Sequence, residues 1–246
     1  MIRFHFNLSP NPSKVALFLE ESGLPYEAIP VDTRRGRQFD PAFLALNPNG
    51  KVPVIQDGEV TVFDSNAILL YLGEKTGRFM PRDGSPAARG RLLSWLMFVA
   101  TGLGPYSGQA VHFRHFAPAP QDYADTRYRY EASRHFGILD AELARTGRYL
   151  MGEDYTILDM AVWGWARLLP FVVGEEGWAQ VPHLRRHFEE INTRPAAQRA
   201  LALKDRHAFK AEMDEEARRG RITRPPPPRG RRGGTCCAAP PRPSPP

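Results

Sequence analysis

Asn47-Pro48-Asn49-Gly50-Lys51-Val52-Pro53-Val54-Ile55-Gln56-Asp57-Gly58-Glu59-Val60-Thr61-Val62-Phe63-Asp64-Ser65 is the stretch on which the fold turns. Two short runs rich in β-branched residues, 52–55 and 60–63, flank Asp57-Gly58, which predicts a two-stranded hairpin. Asp64-Ser65 then opens a periodic run, Ile68, Leu69 and Leu72, that stops at Gly77, so a helix closes the hairpin. Upstream, residues 40–46 read as a short helix broken by Asn47-Pro48-Asn49-Gly50, and a strand is expected over 26–31. At the start, Ile2, Phe4 and Phe6 alternate with Arg3, His5 and Asn7, the period of a strand. Asn11 reads as a helix N-cap with Pro12 at the first helical position, Val15, Phe18 and Leu19 as the apolar stripe, and Gly23 as the stop. The order β-α-β-α-β-β-α needs a parallel pairing through a helical crossover, then a hairpin closed by a helix.

Beyond a linker at 78–86 the strand signals vanish. Helical patterns fit near 87–103, 124–145, 157–172, 182–192 and 196–217, with Pro and Gly between them. Thr156-Ile157-Leu158-Asp159 has the spacing of a capping box and opens an apolar run containing Trp163, Trp165, Leu168 and Leu169. The expectation is an α/β domain over 1–78 and an all-α domain over 87–217.

The formal net charge of +6 is local. Eight of the 33 Lys and Arg lie beyond residue 217, where there is no acidic residue, so 25 remain against 27 Asp and Glu in 1–217, a net of −2. Residues 218–246, Arg- and Pro-rich with little to bury, are expected to form a disordered tail. Nucleic acid is therefore an unlikely partner for the body, and counterion release by the tail is the competing reading. The two cysteines, Cys236 and Cys237, also lie there. Residues 1–217 thus hold no disulfide scaffold, cysteine nucleophile, redox pair or cysteine-ligated zinc. Met1–Phe6 alternates and does not look like a signal peptide. The apolar stretch 161–174 contains Arg167 and falls short of the roughly 20 residues of a membrane span. A cytoplasmic protein without membrane contact is expected. His112 with His115, and His183 with His187, have no carboxylate to complete a metal site and read as solvated helix faces; no Gly-x-Gly-x-x-Gly or Walker loop calls for a nucleotide.

This layout resembles the soluble glutathione S-transferases. Residues 47–55 resemble that family's loop to its cis-proline, 63–72 its glutathione-binding strand-to-helix turn, and 156–159 the cap of its helical domain. Ser9-Pro10-Asn11-Pro12 and Gly36-Arg37-Gln38-Phe39 are most similar to the bacterial nu class, although Ser9 and Asp64 stand where Thr and Glu are usual, and Pro12-Ser13 where Gly-His is. The resemblance implies a thioredoxin-like first domain, a homodimer, and glutathione as co-substrate. It also implies conjugation of an electrophile, as in detoxification, or glutathione-dependent disulfide reduction. A non-catalytic scaffold of the same fold is the alternative.

The resemblance also assigns roles. Glutathione reacts as a thiolate, and an ordinary thiol titrates near about 8.5, so the site needs donors at the sulfur. Asn11 and Ser9 are the catalytic candidates; on spacing alone Asn11 merely caps its helix. Val52, before Pro53, is expected to offer backbone N–H and C=O to the cysteinyl part. Asp64 and Ser65 are expected to take the γ-glutamyl ammonium and carboxylate, and both also suit a helix start. Gln38, with Lys51 second, is assigned to the glycyl carboxylate. Arg134, or else Arg127 or Arg129, is a further candidate for a carboxylate, and each also suits a surface helix face. Trp95, Phe98, Tyr106, Phe113 and Phe116 are candidates to line the second-substrate pocket, or else to fill the core.

Overall fold

The computed structural model describes residues 1–215, 217 and 218. The expected tail, with Cys236 and Cys237, lies outside the described residues save for Arg218 at its start.

Strand β1 (Ile2–Phe6) pairs in parallel with β2 (Tyr26–Pro30) through the crossover helix α1 (Pro10–Ser22). Two 3-10 turns, Thr33–Arg35 and Arg37–Phe39, lead to α2 (Pro41–Leu46). The hairpin of β3 (Val54–Asp57) and β4 (Val60–Phe63) adds to β1 in antiparallel fashion, giving the order β2-β1-β3-β4, and α3 (Ser65–Thr76) follows. Asp57 is the last paired residue of β3, so the two-residue turn is Gly58-Glu59, one place later than expected. Helix α1 begins at Pro10, and Ser9 occupies the N-cap that the sequence assigned to Asn11. Pro10 and Pro12 both fall in the first turn, where backbone N–H groups have no intrahelical acceptor, so neither proline breaks a hydrogen bond.

The helical half opens with α4 (Pro86–Phe98), which continues through a π-helical segment, Val99–Leu103, into α5 (Gly104–His115). The helix expected to end at 103 therefore runs on. Gly102 in the π-segment makes room for a neighbour: a Cβ there would sit 2.3 Å from the His135 ring. The chain continues as α6 (Asp122–Thr146), α7 (Ile157–Ala166), α8 (Leu169–Val173), a 3-10 stretch Glu175–Gln180, α9 (Pro182–Asn192), α10 (Pro195–Leu201) and α11 (Leu203–Arg206). The single helix expected over 157–172 breaks before Pro170, whose ring and missing N–H cannot continue a helix. The single helix expected over 196–217 is split at Ala202, and its second piece ends at Arg206. The following segment returns to the sheet: the rings of His207 and Phe209 stand edge-on to Phe6, and Lys210 N–H donates to Asp32 at 2.8 Å.

One hydrophobic core runs through both halves, from Phe4, Phe6 and Leu17 to Leu69, Leu158 and Trp163. Helix α7 is buried at every residue. The capping box forms as expected: Leu158 N–H donates to Thr156 Oγ1 at 3.3 Å and Thr156 N–H to Asp159 Oδ2 at 2.8 Å. Asp159 Oδ1 also accepts from Leu150 N–H and His187 Nε2. His187 is fully buried there and does not lie on a solvated face, which corrects the sequence reading.

Two stability predictions follow from this packing. Asp159→Ala strands several buried donors at once and should cost about 3 kcal/mol, a fall in Tm of roughly 6–12 °C by circular dichroism. In Gly164→Ala the new methyl would meet Lys14 Cγ at 2.5 Å and the Pro10 carbonyl at 2.7 Å. It should cost about 1–3 kcal/mol in urea unfolding, because both neighbours are held in the core.

Candidate active site

Sheet register decides where the site lies. His5 of β1 stands opposite Val54 at the start of β3, and Val54 opposite Phe63 at the end of β4. The segments leaving β1, entering β3 and leaving β4 therefore meet at one end of the sheet. They carry Ser9 and Asn11, Val52 and Pro53, and Asp64 and Ser65, so pairing alone brings these sequence candidates together.

At the start of α1 the two candidate donors differ. Ser9 makes no side-chain cap. Its Oγ–H donates to Asn7 Oδ1 at 2.6 Å, an atom that also accepts the Ser9 N–H at 3.0 Å, so the hydroxyl hydrogen is committed to Asn7. Asn11 does not cap the helix either: its Oδ1 accepts from the Trp165 indole N–H at 3.1 Å. An indole nitrogen can only donate, so the contact fixes which end of the amide faces the tryptophan. The Asn11 NH₂ has no hydrogen-bond partner among the described residues. Ser13 donates to the Ser9 carbonyl at 3.0 Å and accepts from Arg167 at 2.7 Å, tying this turn to the helical half. Burial lowers the Arg167 pKa from its ordinary value.

The loop into β3 is built around Asn47, which is buried. Its side chain accepts from Asn49 N–H at 3.0 Å and donates to the Lys51 carbonyl at 2.7 Å, which fixes the approach to the cis Val52–Pro53 bond. Gly50 takes a positive φ of 64°, and a Cβ there would stand 3.3 Å from the Gln38 carbonyl. Gln38 is thereby placed beside this loop and is buried; Lys51 is exposed.

At the third segment Asp64 has φ 72° and ψ 126°, a conformation that costs a non-glycine residue about 1–3 kcal/mol. Its Oδ1 caps α3, accepting from Asn66 N–H at 2.9 Å and Ala67 N–H at 3.2 Å. Ser65 is 2% exposed, and its Oγ accepts from Lys14 Nζ at 3.3 Å. Lys14 itself is 1% exposed. Burial pulls its pKa down to about 7, against the opposing field of Asp64.

Neither Lys14 nor Trp165 was singled out in the sequence for the site. Lys14 carried a faint signal, since it lies four residues from Pro10 and from Phe18 on the buried face of α1. Trp165 carried none, because its partner is 154 residues away.

Arg134 is not drawn to these groups by any hydrogen bond or ion pair. It pairs with Glu131 at 2.9 Å, as Arg127 does at 2.7 Å, while Arg129 pairs with Asp125 at 2.9 Å. The Arg134 hydrogen bond, against some desolvation, holds the Glu131 carboxyl below its usual range. The aromatic candidates make a ring network. Phe98 and Tyr106 flank the buried His135 at 4.8 and 5.0 Å, Trp95 meets Phe98, and Phe113 stacks on Tyr128, while Phe116 packs apart, near Phe171. Among the described residues no cluster of His, Cys, Asp and Glu is placed to hold a metal, and no helix is long and apolar enough to cross a membrane. A cavity of about 720 Å³ between β2, α2 and residues 208–210 is lined by none of Asn11, Val52 or Ser65.

The family model for the glutathione S-transferase N-terminal domain matches residues 8–75, and that for the C-terminal domain matches residues 105–195. The disulfide-bond oxidoreductase YfcG of Escherichia coli is 39% identical over 223 residues, covering 88% of this chain and 98% of that protein. A glutathione transferase family member from Pseudomonas fluorescens, solved with two glutathione molecules bound, superimposes with a TM-score of 0.76. It is 37% identical and covers 81% of this chain and 92% of that one. A Pseudomonas putida glutathione transferase with one glutathione disulfide bound per subunit gives a TM-score of 0.76 at 34% identity, covering 82% and 91%. With both halves matched and this identity sustained along nearly the whole of a relative, the chain belongs to the glutathione S-transferase family.

Proposed function

We propose that the protein is a glutathione-dependent disulfide reductase of the transferase type, in which the Asn11 amide donates to the glutathione thiolate. The observation that carries this reading is the Trp165–Asn11 hydrogen bond, which points the amide's donor end away from the indole and leaves it without a partner among the described residues. Two effects add at that position. A helix N-terminus favours an anion by about 0.3–1 kcal/mol, up to about 2 when partly buried. A hydrogen bond to a charged atom adds about 1.5–3 kcal/mol. At about 1.4 kcal/mol per pKa unit, together they lower the thiol pKa by about one to three units. Ser9 supports this turn and donates to sulfur only after giving up its bond to Asn7.

The remaining contacts follow from the sheet end. The backbone of Val52 before Pro53 binds the cysteinyl unit, Asp64 and Ser65 take the γ-glutamyl ammonium and carboxylate, and Gln38 with Lys51 faces the glycyl carboxylate. Arg134 is the least supported member, since its guanidinium already holds Glu131.

Because residues 1–217 contain no cysteine, the sulfur chemistry belongs to two glutathione molecules. The first thiolate attacks one sulfur of the substrate disulfide, forming a mixed disulfide and expelling one thiolate. The second attacks the glutathionyl sulfur, releasing glutathione disulfide and the other thiolate; each expelled thiolate takes a proton from water. The pair of glutathiones in one related structure and the glutathione disulfide in another favour this reaction over conjugation. The reading carries with it a homodimer and a cytoplasmic location, where the glutathione pool is reduced.

Asn11→Ala should lower kcat/KM by about 10- to 100-fold and return the bound thiol's ultraviolet titration midpoint toward about 8.5. Trp165→Phe leaves an aromatic ring in place but removes the N–H together with the fused pyrrole, so kcat should fall about tenfold with KM for glutathione little changed, the amide being free to turn. Hydroxyethyl disulfide should be turned over faster than chlorodinitrobenzene is conjugated. Glutathione binding without turnover of either would favour a scaffold, and faster conjugation would make the protein a conventional transferase.

A further inference from the structure

We propose that Lys14 is a positioning residue for the γ-glutamyl carboxylate, acting through Ser65 and taking up a proton when that carboxylate binds. The inference rests on the glutathione reading of Asp64 and Ser65 and adds a group that this reading does not contain.

The geometry is that of a buried cation lacking a counter-charge. The Lys14 stem runs from α1 across α7 at Gly164, where a methyl group would clash with its Cγ at 2.5 Å. Its Nζ ends 3.3 Å from Ser65 Oγ, and this neutral hydroxyl is its one hydrogen-bond partner among the described residues. Among the described residues no carboxylate lies within ion-pair distance of Nζ. Charged groups on the surrounding elements are engaged elsewhere. On α7, Asp159 serves Thr156, Leu150 and His187, and Arg167, just past its end, serves Ser13. On α10, Arg199 pairs with Glu20; on β1, His5 meets Gln56. Asp64, at the head of α3, raises the lysine's proton affinity but not enough to offset burial, so its pKa stands near about 7.

An incoming carboxylate changes this balance. Seated on the Ser65 hydroxyl and the Ser65 N–H at the start of α3, it brings a full negative charge close to Nζ, and an opposite charge within about 4–6 Å raises a lysine pKa by about 1–3 units. The sign follows from linkage: the bound pKa exceeds the free one. The lysine's contribution to binding is complete below about pH 7 and is lost as pH rises through the bound-state value.

The test uses S-methylglutathione, a thioether whose sulfur cannot ionise, so any proton uptake is separate from thiol chemistry. For the wild-type protein, calorimetry at pH 7 in buffers of differing ionisation enthalpy should show uptake of about half a proton per ligand. The same ligand with γ-aminobutyryl in place of γ-glutamyl keeps its amine, lacks the carboxylate, and should show none. Lys14→Met should weaken S-methylglutathione binding about tenfold at pH 6 and much less at pH 8. Equal weakening at both pH values, or wild-type binding without proton uptake, overturns the role of Lys14. Failure of the wild-type protein to bind S-methylglutathione at either pH overturns the glutathione reading itself. The calorimetry on the wild type decides the matter even if Lys14→Met does not fold.

Discussion

Helix α7 is buried along its whole length, and α1 lies against it so closely that Gly164 has no space for a methyl group. Four features of this contact fix the first turn of α1. Gly164 admits the Pro10 carbonyl and the Lys14 stem, Trp165 holds the Asn11 amide, Arg167 holds Ser13, and Ser13 holds the Ser9 carbonyl. The field of a helix N-terminus fades within one turn. A site that relies on that field and on one amide donor therefore needs the turn fixed to within a fraction of an ångström. The helical half supplies that fixity from outside the sheet domain, which is why one core runs through both.

Local signals made most of this architecture legible. The strand alternation of Ile2–Phe6, the hairpin over 54–63 and the Thr156–Asp159 box each rest on neighbouring residues, and each formed. The convergence of Ser9, Val52 and Ser65 was legible at one remove, because strand order determines which segments share a sheet end. What was hidden depends on distant partners. Nothing near Trp165 announces Asn11, and nothing near Asn11 says that its carbonyl is engaged. His207 and Phe209 leave helical geometry to pack on Phe6, a ring two hundred residues earlier in the chain. His187 reads as a surface residue by spacing and is buried because Asp159 meets it.

Asp159 and Lys14 show what burial does to a charge under opposite circumstances. Asp159 receives hydrogen bonds from Thr156, Leu150 and His187, so its desolvation is offset within the fold. Lys14 receives no such compensation: one hydroxyl at 3.3 Å cannot balance an ammonium taken out of water. Packing alone does not call for an amine there, since the stem could end in a thioether and fill the same space. Two buried ionisable groups in one core thus serve different ends, the first complete within the fold and the second, in the proposed reading, completed by a ligand.

In the proposed reading, neutral groups at the sulfur and an ionisable group at the far end of the ligand divide the work in a physically sensible way. An amide N–H and a helix terminus stabilise a thiolate without themselves titrating, so the nucleophile's ionisation depends only on its own pKa. A lysine in place of Asn11 would add a second titration beside the first and couple the two. Beneath the γ-glutamyl end, where the proposal puts Lys14, a lysine proton affects how tightly the ligand is held but not how its sulfur reacts. With no cysteine in residues 1–217, that body offers the reaction no thiol of its own. What remains for it to contribute is orientation and a preorganised field, and both are set where α1 meets α7.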